Sequence, residues 1–167
     1  SDSDNEVTGN IGIGYAAGHY NVTGKYNTYL GHDAGLGASG QSNSNNVGVG
    51  YNALKAITTG QYNVALGDSS LLALTSGNTN VVIGRYAGAA ITTQDECVLI
   101  GHNAAVSLNN DTADGTVAVG YLALNALTDG NGNTAIGYQS LYTTTETDEN
   151  TAVGYQALYA VSGAAST

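Results

Sequence analysis

A nine-residue phrase recurs through this chain and limits it to very few folds. Asn150-Thr151-Ala152-Val153-Gly154-Tyr155-Gln156-Ala157-Leu158 is closely matched by Asn133-Thr134-Ala135-Ile136-Gly137-Tyr138-Gln139-Ser140-Leu141. Aligned on the glycine that follows Val, Ile or Leu, the phrase has nine copies, at Gly14, Gly31, Gly50, Gly67, Gly84, Gly101, Gly120, Gly137 and Gly154. Successive glycines lie 17 residues apart, except two intervals of 19. A fixed period of this length marks a repeat architecture in which each copy packs on its neighbours rather than around one central core.

Each copy opens on a short β-favouring run. Examples are Asn46-Val47-Gly48-Val49, Asn63-Val64-Ala65-Leu66 and Asn80-Val81-Val82-Ile83. The residue before the glycine is always Val, Ile or Leu, and the residue three before it is always β-branched. The residue between them is usually Ala or Gly. Side chains alternate across a strand, so one face carries bulky residues and the other small ones. The bulky face is expected to fill the coil interior, and the small face to let another backbone approach.

The glycine is expected to turn the chain through a conformation closed to residues with a Cβ. Three positions later stands Ala or Ser, as in Ala53, Ser70 and Ala157, and the fourth position is often Leu. The seventh is frequently apolar (Ile57, Leu74, Ile91, Leu108, Leu127, Val161). Spacings of three and four suit a short helical turn in this second arm better than a second strand, with a bent strand and turns as the alternative. A polar return such as Thr58-Thr59-Gly60-Gln61-Tyr62 follows, rich in turn formers.

The expected fold is therefore mainly β, a parallel β-solenoid of nine coils of about 17 residues, stacked at about 4.8 Å into a rod of roughly 40 Å. Residues 1–9 form an acidic lead-in and residues 10–167 a single repeat domain. The two 19-residue intervals lie four coils apart in the same return, around Gly35 to Asn45 and Asn109 to Gly115, and should bulge from one side. The chain begins and ends in repeat-like sequence and reads as a segment of something longer.

Composition narrows the function classes. The net charge is −10, with only Lys25, Lys55 and Arg85 as cations, which argues against a nucleic-acid surface and against an anionic membrane. No apolar run approaches the roughly 20 residues of a membrane-spanning helix. Cys97 is alone, so no disulfide framework is implied.

The repeats resemble those of phage tail-fibre proteins and, more loosely, the head repeats of trimeric autotransporter adhesins of the YadA type. The resemblance rests on Asn-Thr-Ala-Val/Ile-Gly-Tyr-Gln-Ala/Ser-Leu with its Thr-Thr-Gly-like return and covers about residues 10–161. It implies β-solenoid coils assembled as a homotrimer on a virion or cell surface, extracellular, serving attachment to a host-surface glycan or protein receptor. The longer period and the helix-like arm depart from the adhesin heads. A trimer also has a physical motive, because one coil holds few large apolar groups and burying a face of each of three rods removes more apolar area from water.

Several columns are candidate sites. Asn10, Asn27, Asn46, Asn63, Asn80, Asn133 and Asn150 share one position, where stacked amides satisfying one another and the turn backbone would suffice. Cys97 and Thr116 replace Asn in two coils, with Cys97 as a small, partly buried substitute. With the repeat glycines Gly50, Gly67, Gly84, Gly137 and Gly154, these asparagines are read as structural. The position after the glycine carries Tyr15, Tyr51, Tyr121, Tyr138 and Tyr155, together with His32 and His102. It is expected to face outward, and Tyr51, Tyr121, Tyr138 and Tyr155 are the candidate receptor-binding residues, against a stacked ladder that only stiffens the rod. In a trimer, three copies of one His could hold an ion on the axis; a surface His is the plainer reading, and His19 has no partner in the sequence.

The acids cluster in returns: Asp95-Glu96, Asp111, Asp114, Asp129, Glu146, Asp148-Glu149. They suit solubility, with scattered structural calcium as the alternative, and no other cofactor is implied. No nucleophile with its base, paired carboxylates, zinc motif or phosphate-cradling loop appears, so the chain reads as no enzyme. Two rivals stand beside the attachment rod. One is an ice-binding solenoid using Thr58/Thr59, Thr75, Thr92/Thr93, Thr128 and Thr143/Thr144. The other is a fragment of a polysaccharide-degrading tailspike.

Overall fold

The computed structural model describes residues 9–110, 113–146 and 148–160. Among them nine three-residue strands form: β1 Ile11–Ile13, β2 Thr28–Leu30, β3 Val47–Val49, β4 Val64–Leu66, β5 Val81–Ile83, β6 Val98–Ile100, β7 Val117–Val119, β8 Thr134–Ile136 and β9 Thr151–Val153. They make one parallel sheet in sequence order. The middle residues align from coil to coil, Ala65 beside Val82 and Ala118 beside Ala135. The chain is all β, a solenoid of about eight turns. The lead-in up to Thr8, the seventh-position Val161 and Asp111 lie outside the described residues.

The strands turn their bulky residues outward, which reverses the sequence expectation. The middle, mostly small residue of β2 to β9 is buried, while the flanking β-branched and leucine positions are half-buried or exposed. Ile83 is 37% exposed, Ile136 40% and Val153 66%, whereas Ala65, Ala118 and Ala135 are fully buried. The interior is filled from the opposite wall instead, by Leu54, Leu71, Leu124 and Leu141 of the second arm and by Ile57, Leu74, Ile91, Leu108 and Leu127. These residues form one continuous apolar cluster with the strand column. A three-residue strand presents a single side chain inward, so small residues there leave room for an opposing Leu.

The second arm contains no helix among the described residues, which corrects the expected helical turn. Its residues two and four after the glycine take left-handed backbone, for example Asn52 (φ 56°) and Leu54 (φ 55°), or Leu122 (φ 56°) and Leu124 (φ 51°). Alternating hands aim the N–H groups along the rod. Asn52 N donates to His32 O of the preceding coil at 3.0 Å, and Leu54 N to Ser70 O of the following coil at 3.1 Å. The residue between closes a turn onto the corner, Ala53 N donating to Gly50 O at 3.4 Å. Left-handed backbone costs an L-residue roughly 1–2 kcal/mol. Burying a Leu side chain returns about 1.5–3 kcal/mol, and the inter-coil hydrogen bond adds to it.

The nine corner glycines have φ between 131° and 142°. A Cβ on Gly84 would collide with the backbone of Gly101, one coil on, and the same clash recurs from Gly14 to Gly137. Both reasons for glycine, the dihedral and the close approach of stacked corners, hold at once. Of the two long returns, the first bulges outward: residues 38–41 are exposed, and a Cβ on Gly40 would meet nothing.

Candidate functional site

The asparagine column forms a buried ladder just before the strands. Asn63 N and Nδ2 both donate to Asn46 Oδ1, at 2.9 and 3.1 Å. Asn63 Oδ1 in turn accepts from Asn80 N and Nδ2, at 3.1 and 2.9 Å. The remaining amide proton is satisfied on the return strand side, Asn63 Nδ2 donating to Gly77 O at 2.8 Å. The pattern runs from Asn10 to Cys97 and again from Asn133 to Asn150. Every amide is spent on the fold, which leaves this column no free group for a ligand.

Cys97 stands in the asparagine's place at the end of the first run; its N–H donates to Asn80 Oδ1 at 2.9 Å. Its side chain is fully buried rather than partly so. Burial pushes the thiol up to about 11, and the nearby Asp114 and Asp95 push the same way, against hydrogen bonds from the backbone at Thr116 and Gly115. A thiol held protonated this firmly is a packing group, not a nucleophile.

The column after the glycine is the exposed one. Tyr121, Tyr138 and Tyr155 stack with ring centroids 5.2 and 5.1 Å apart and planes within 14° and 7°. His102 extends this stack to Tyr121 at 5.5 Å. A shorter stack joins Tyr15, His32 and Tyr51. Between the two stand Asp68 and Arg85, paired at 3.3 Å, with the Arg85 guanidinium over the Tyr86 ring. So Tyr51 belongs to the N-terminal stack and the other three candidate tyrosines to the C-terminal one. All four are exposed, Tyr51 at 54%.

The histidines fall in three settings. His32 Nδ1 faces Asp33 Oδ1 at 3.4 Å, and Asp33 also pairs with Lys55 at 3.0 Å. In the corresponding place four coils on, His102 Nδ1 and Asn103 Oδ1 are both buried without a hydrogen-bond partner. His19, without a partner in the sequence, packs edge-on against Tyr20 at 4.5 Å.

The return acids also work along the rod. Asp114 Oδ1 accepts from Asp95 N at 2.7 Å, and Asp148 Oδ1 from Asn131 N at 2.9 Å. Among the described residues no three His, Cys, Asp or Glu side chains come together as a cation site. Threonine hydroxyls are engaged too: Thr58, Thr75 and Thr128 each donate to a carbonyl of the next coil at 2.9 to 3.1 Å.

Two surface features escaped sequence reasoning. The first is the outward aliphatic face of the sheet, whose two columns run from Ile11 and Ile13 to Thr151 and Val153. The second is a further tyrosine pair, Tyr142 over Tyr159 at 5.1 Å, beside a glutamine pair in which Gln156 Nε2 donates to Gln139 Oε1 at 2.9 Å. Their common spacing of 17 residues was visible in the sequence as a signal. No helix among the described residues is long and apolar enough to cross a membrane. The chain matches no known protein-family profile, no curated protein and no solved structure.

Proposed function

We propose that this chain is a structural and attachment rod, one strand of a homotrimeric fibre or surface adhesin of the tail-fibre kind, working outside the cell. The outward aliphatic face carries the proposal. The interior of the solenoid is complete without it, yet its two columns stand half-buried or exposed along the whole sheet, with Ile83, Ile136 and Val153 among the exposed residues. A continuous apolar strip of that kind marks an interaction surface. Rods that share a sheet face and a repeat length cover it best with copies of themselves, and the repeat resemblance supplies the number three.

The rest of the chain supports a passive role. Its carboxylates cap backbone N–H groups of neighbouring coils, and its amides are tied into the ladder, so no free acid–base set supports catalysis. The net charge of −10 supports partners other than nucleic acid or anionic membrane. Engaged threonine hydroxyls weaken the ice-binding reading, and no ion or other cofactor is needed to close a coil.

Absolute mass by light scattering tests the reading. We expect a mass of three chains, and a single-chain mass for Ile83→Lys combined with Ile100→Lys, both outward in the middle of the face. Circular dichroism of the variant should keep its β signal, because neither residue fills the interior. A wild-type protein that stays a single chain at high concentration overturns the proposal, and thermal hysteresis in that monomer would put ice binding in its place.

A further inference from the structure

We infer that the second arm of the last three coils is a binding site for a neutral, extended glycan lying along the rod. Three ladders coincide there and nowhere else among the described residues. The first is Tyr121, Tyr138 and Tyr155, and the second is Tyr142 and Tyr159. Between them in the chain runs the third, Gln139 and Gln156. In coils four and five the first of these positions carries a charge pair instead, Asp68 with Arg85. The two halves of the rod thus differ in chemistry at equivalent positions.

The ladder geometry selects the ligand class. Face-to-face stacking at 5.1 to 5.2 Å covers the ring faces within the ladder, so ring edges and hydroxyls are what solvent meets. The result is a comb of hydroxyls at the pitch of one coil. A polymer of six-membered sugar rings in extended form repeats once per ring at about that pitch, and it offers hydroxyls to phenols and amides in turn. A polypeptide laid along the rod rises only about 3.3 Å per residue and falls out of step. The glutamine pair leaves one amide nitrogen of Gln139 and one oxygen lone-pair set of Gln156 for a ligand, since a primary amide has two donors and an acceptor oxygen.

Charge selects the subclass. No acidic or basic residue stands at the first, second or fifth position of this arm in coils seven to nine: Tyr121, Leu122 and Asn125, then Tyr138, Gln139 and Tyr142, then Tyr155, Gln156 and Tyr159. A chain of net charge −10 repels anionic polymers. Uncharged amides and phenols suit uncharged hydroxyls. The patch lies beyond the glycine corner from the aliphatic strand face, so self-association through that face leaves it free.

The inference deepens the attachment reading and rests on it, but the two fail separately, because assembly is read by mass and the patch by retention. Affinity electrophoresis in gels containing hydroxyethylcellulose, galactomannan or dextran, with alginate as the anionic comparison, makes the test on the whole chain. We expect retardation by at least one neutral polymer. It should weaken tenfold or more in Tyr138→Phe/Tyr155→Phe, which keeps the stack and removes hydroxyls, or in Gln139→Ala/Gln156→Ala. Tyr62→Phe, at an exposed tyrosine of a return in the other half of the rod, should bind as the wild type does. Retardation by none of the neutral polymers, by alginate alone, or equally in the wild type and both double variants overturns the site even where the mass is that of three chains.

Discussion

Coils two and eight solve the same packing problem with the large and small parts exchanged. In coil eight the strand offers Ala135 inward and the arm answers with Leu141, both fully buried. In coil two the strand offers Tyr29 and the arm answers with Gly35, where a Cβ would run into the phenol ring. The exchange recurs in the pairing of positions: Val82 is followed by Gly88 and Leu99 by Ala105, whereas Gly48, Ala65 and Ala118 go with Leu54, Leu71 and Leu124. From coil two to coil eight, the level between strand and arm thus holds one large group from one wall or the other. The Tyr29 solution adds a polar demand, met by a 2.6 Å hydrogen bond from its hydroxyl to Asn43 Oδ1. Burial raises this phenol well above its ordinary range, with a hydrogen bond to Asn46 pulling back. Position by position the wall is free to vary; coil by coil the volume is not.

The change that should override either solution is at a corner, which both coils share. Gly84→Val imposes a Cβ on the Gly101 backbone at φ 136°, and we expect a loss of about 4 kcal/mol or more, beyond the usual range for single substitutions. Urea denaturation would read it. A variant as stable as wild type would show that the stacked corners do not constrain the coil.

Next in size is the ladder common to both. Asn63→Leu removes the acceptor for Asn80 N and Nδ2 and should cost about 2–4 kcal/mol, the sum of two donors left buried and unpaired. Full stability in that variant would mean the amides stack without holding the coils together.

The exchange of sizes is tested directly in coil eight. Ala135→Leu should cost about 1–3 kcal/mol by overpacking, and Leu141→Gly about 2–5 kcal/mol by emptying the core. The double variant rebuilds a coil with the large group on the strand and glycine in the arm, as in Tyr29–Gly35, and should be more stable than the sum of the singles by at least about 1 kcal/mol. Strict additivity in a double-mutant cycle would break the comparison.

The narrowest effect, confined to alkaline pH, concerns two buried groups. For Cys97 the folded thiol titrates near 11 against 9.0 for a free one. Above pH 9 the unfolded chain therefore binds fewer protons than the folded one, and stability falls as pH rises from 9 to 11, by at most about 1.4 kcal/mol per unit. The contribution is fully present below pH 9. Cys97→Ala should remove that part of the slope while leaving the Tyr29 part, which begins near the ordinary value of 10.0 and continues above it. An unchanged pH profile in Cys97→Ala would contradict the burial of the thiol.

Much of this fold was legible in the chain. The parallel order, the glycine corners and the position of the first bulge at Gly40 follow from a period of 17 and the residues that tolerate tight backbone. The asparagine column was readable as an amide ladder, because a polar residue repeating in register must be satisfied by its own copies. The candidate tyrosines were readable as a column, but not their division into two stacks by Asp68 and Arg85. The arm was ambiguous in the sequence, since spacings of three and four fit a helical turn as well as a bent strand, and the helical preference was the wrong one. Only the neighbouring coil, by accepting N–H bonds from Asn52 and Leu54, makes alternating left-handed backbone the better choice.

What the sequence alone determined is periodic: how many strands, where each coil turns, and which residues share a column. What only the tertiary structure decided is the sign of the strand, which of its two faces looks inward. Alternation separates Val81 and Ile83 from Val82 without saying which side is dry. The decision lies with the opposite wall, seventeen residues of chain folded back on themselves. Where that wall supplies Leu71, Leu124 or Leu141, the strand must turn Ala65, Ala118 or Ala135 toward it and leave its aliphatic columns facing out, because the space between strand and that arm residue admits one large side chain and not two.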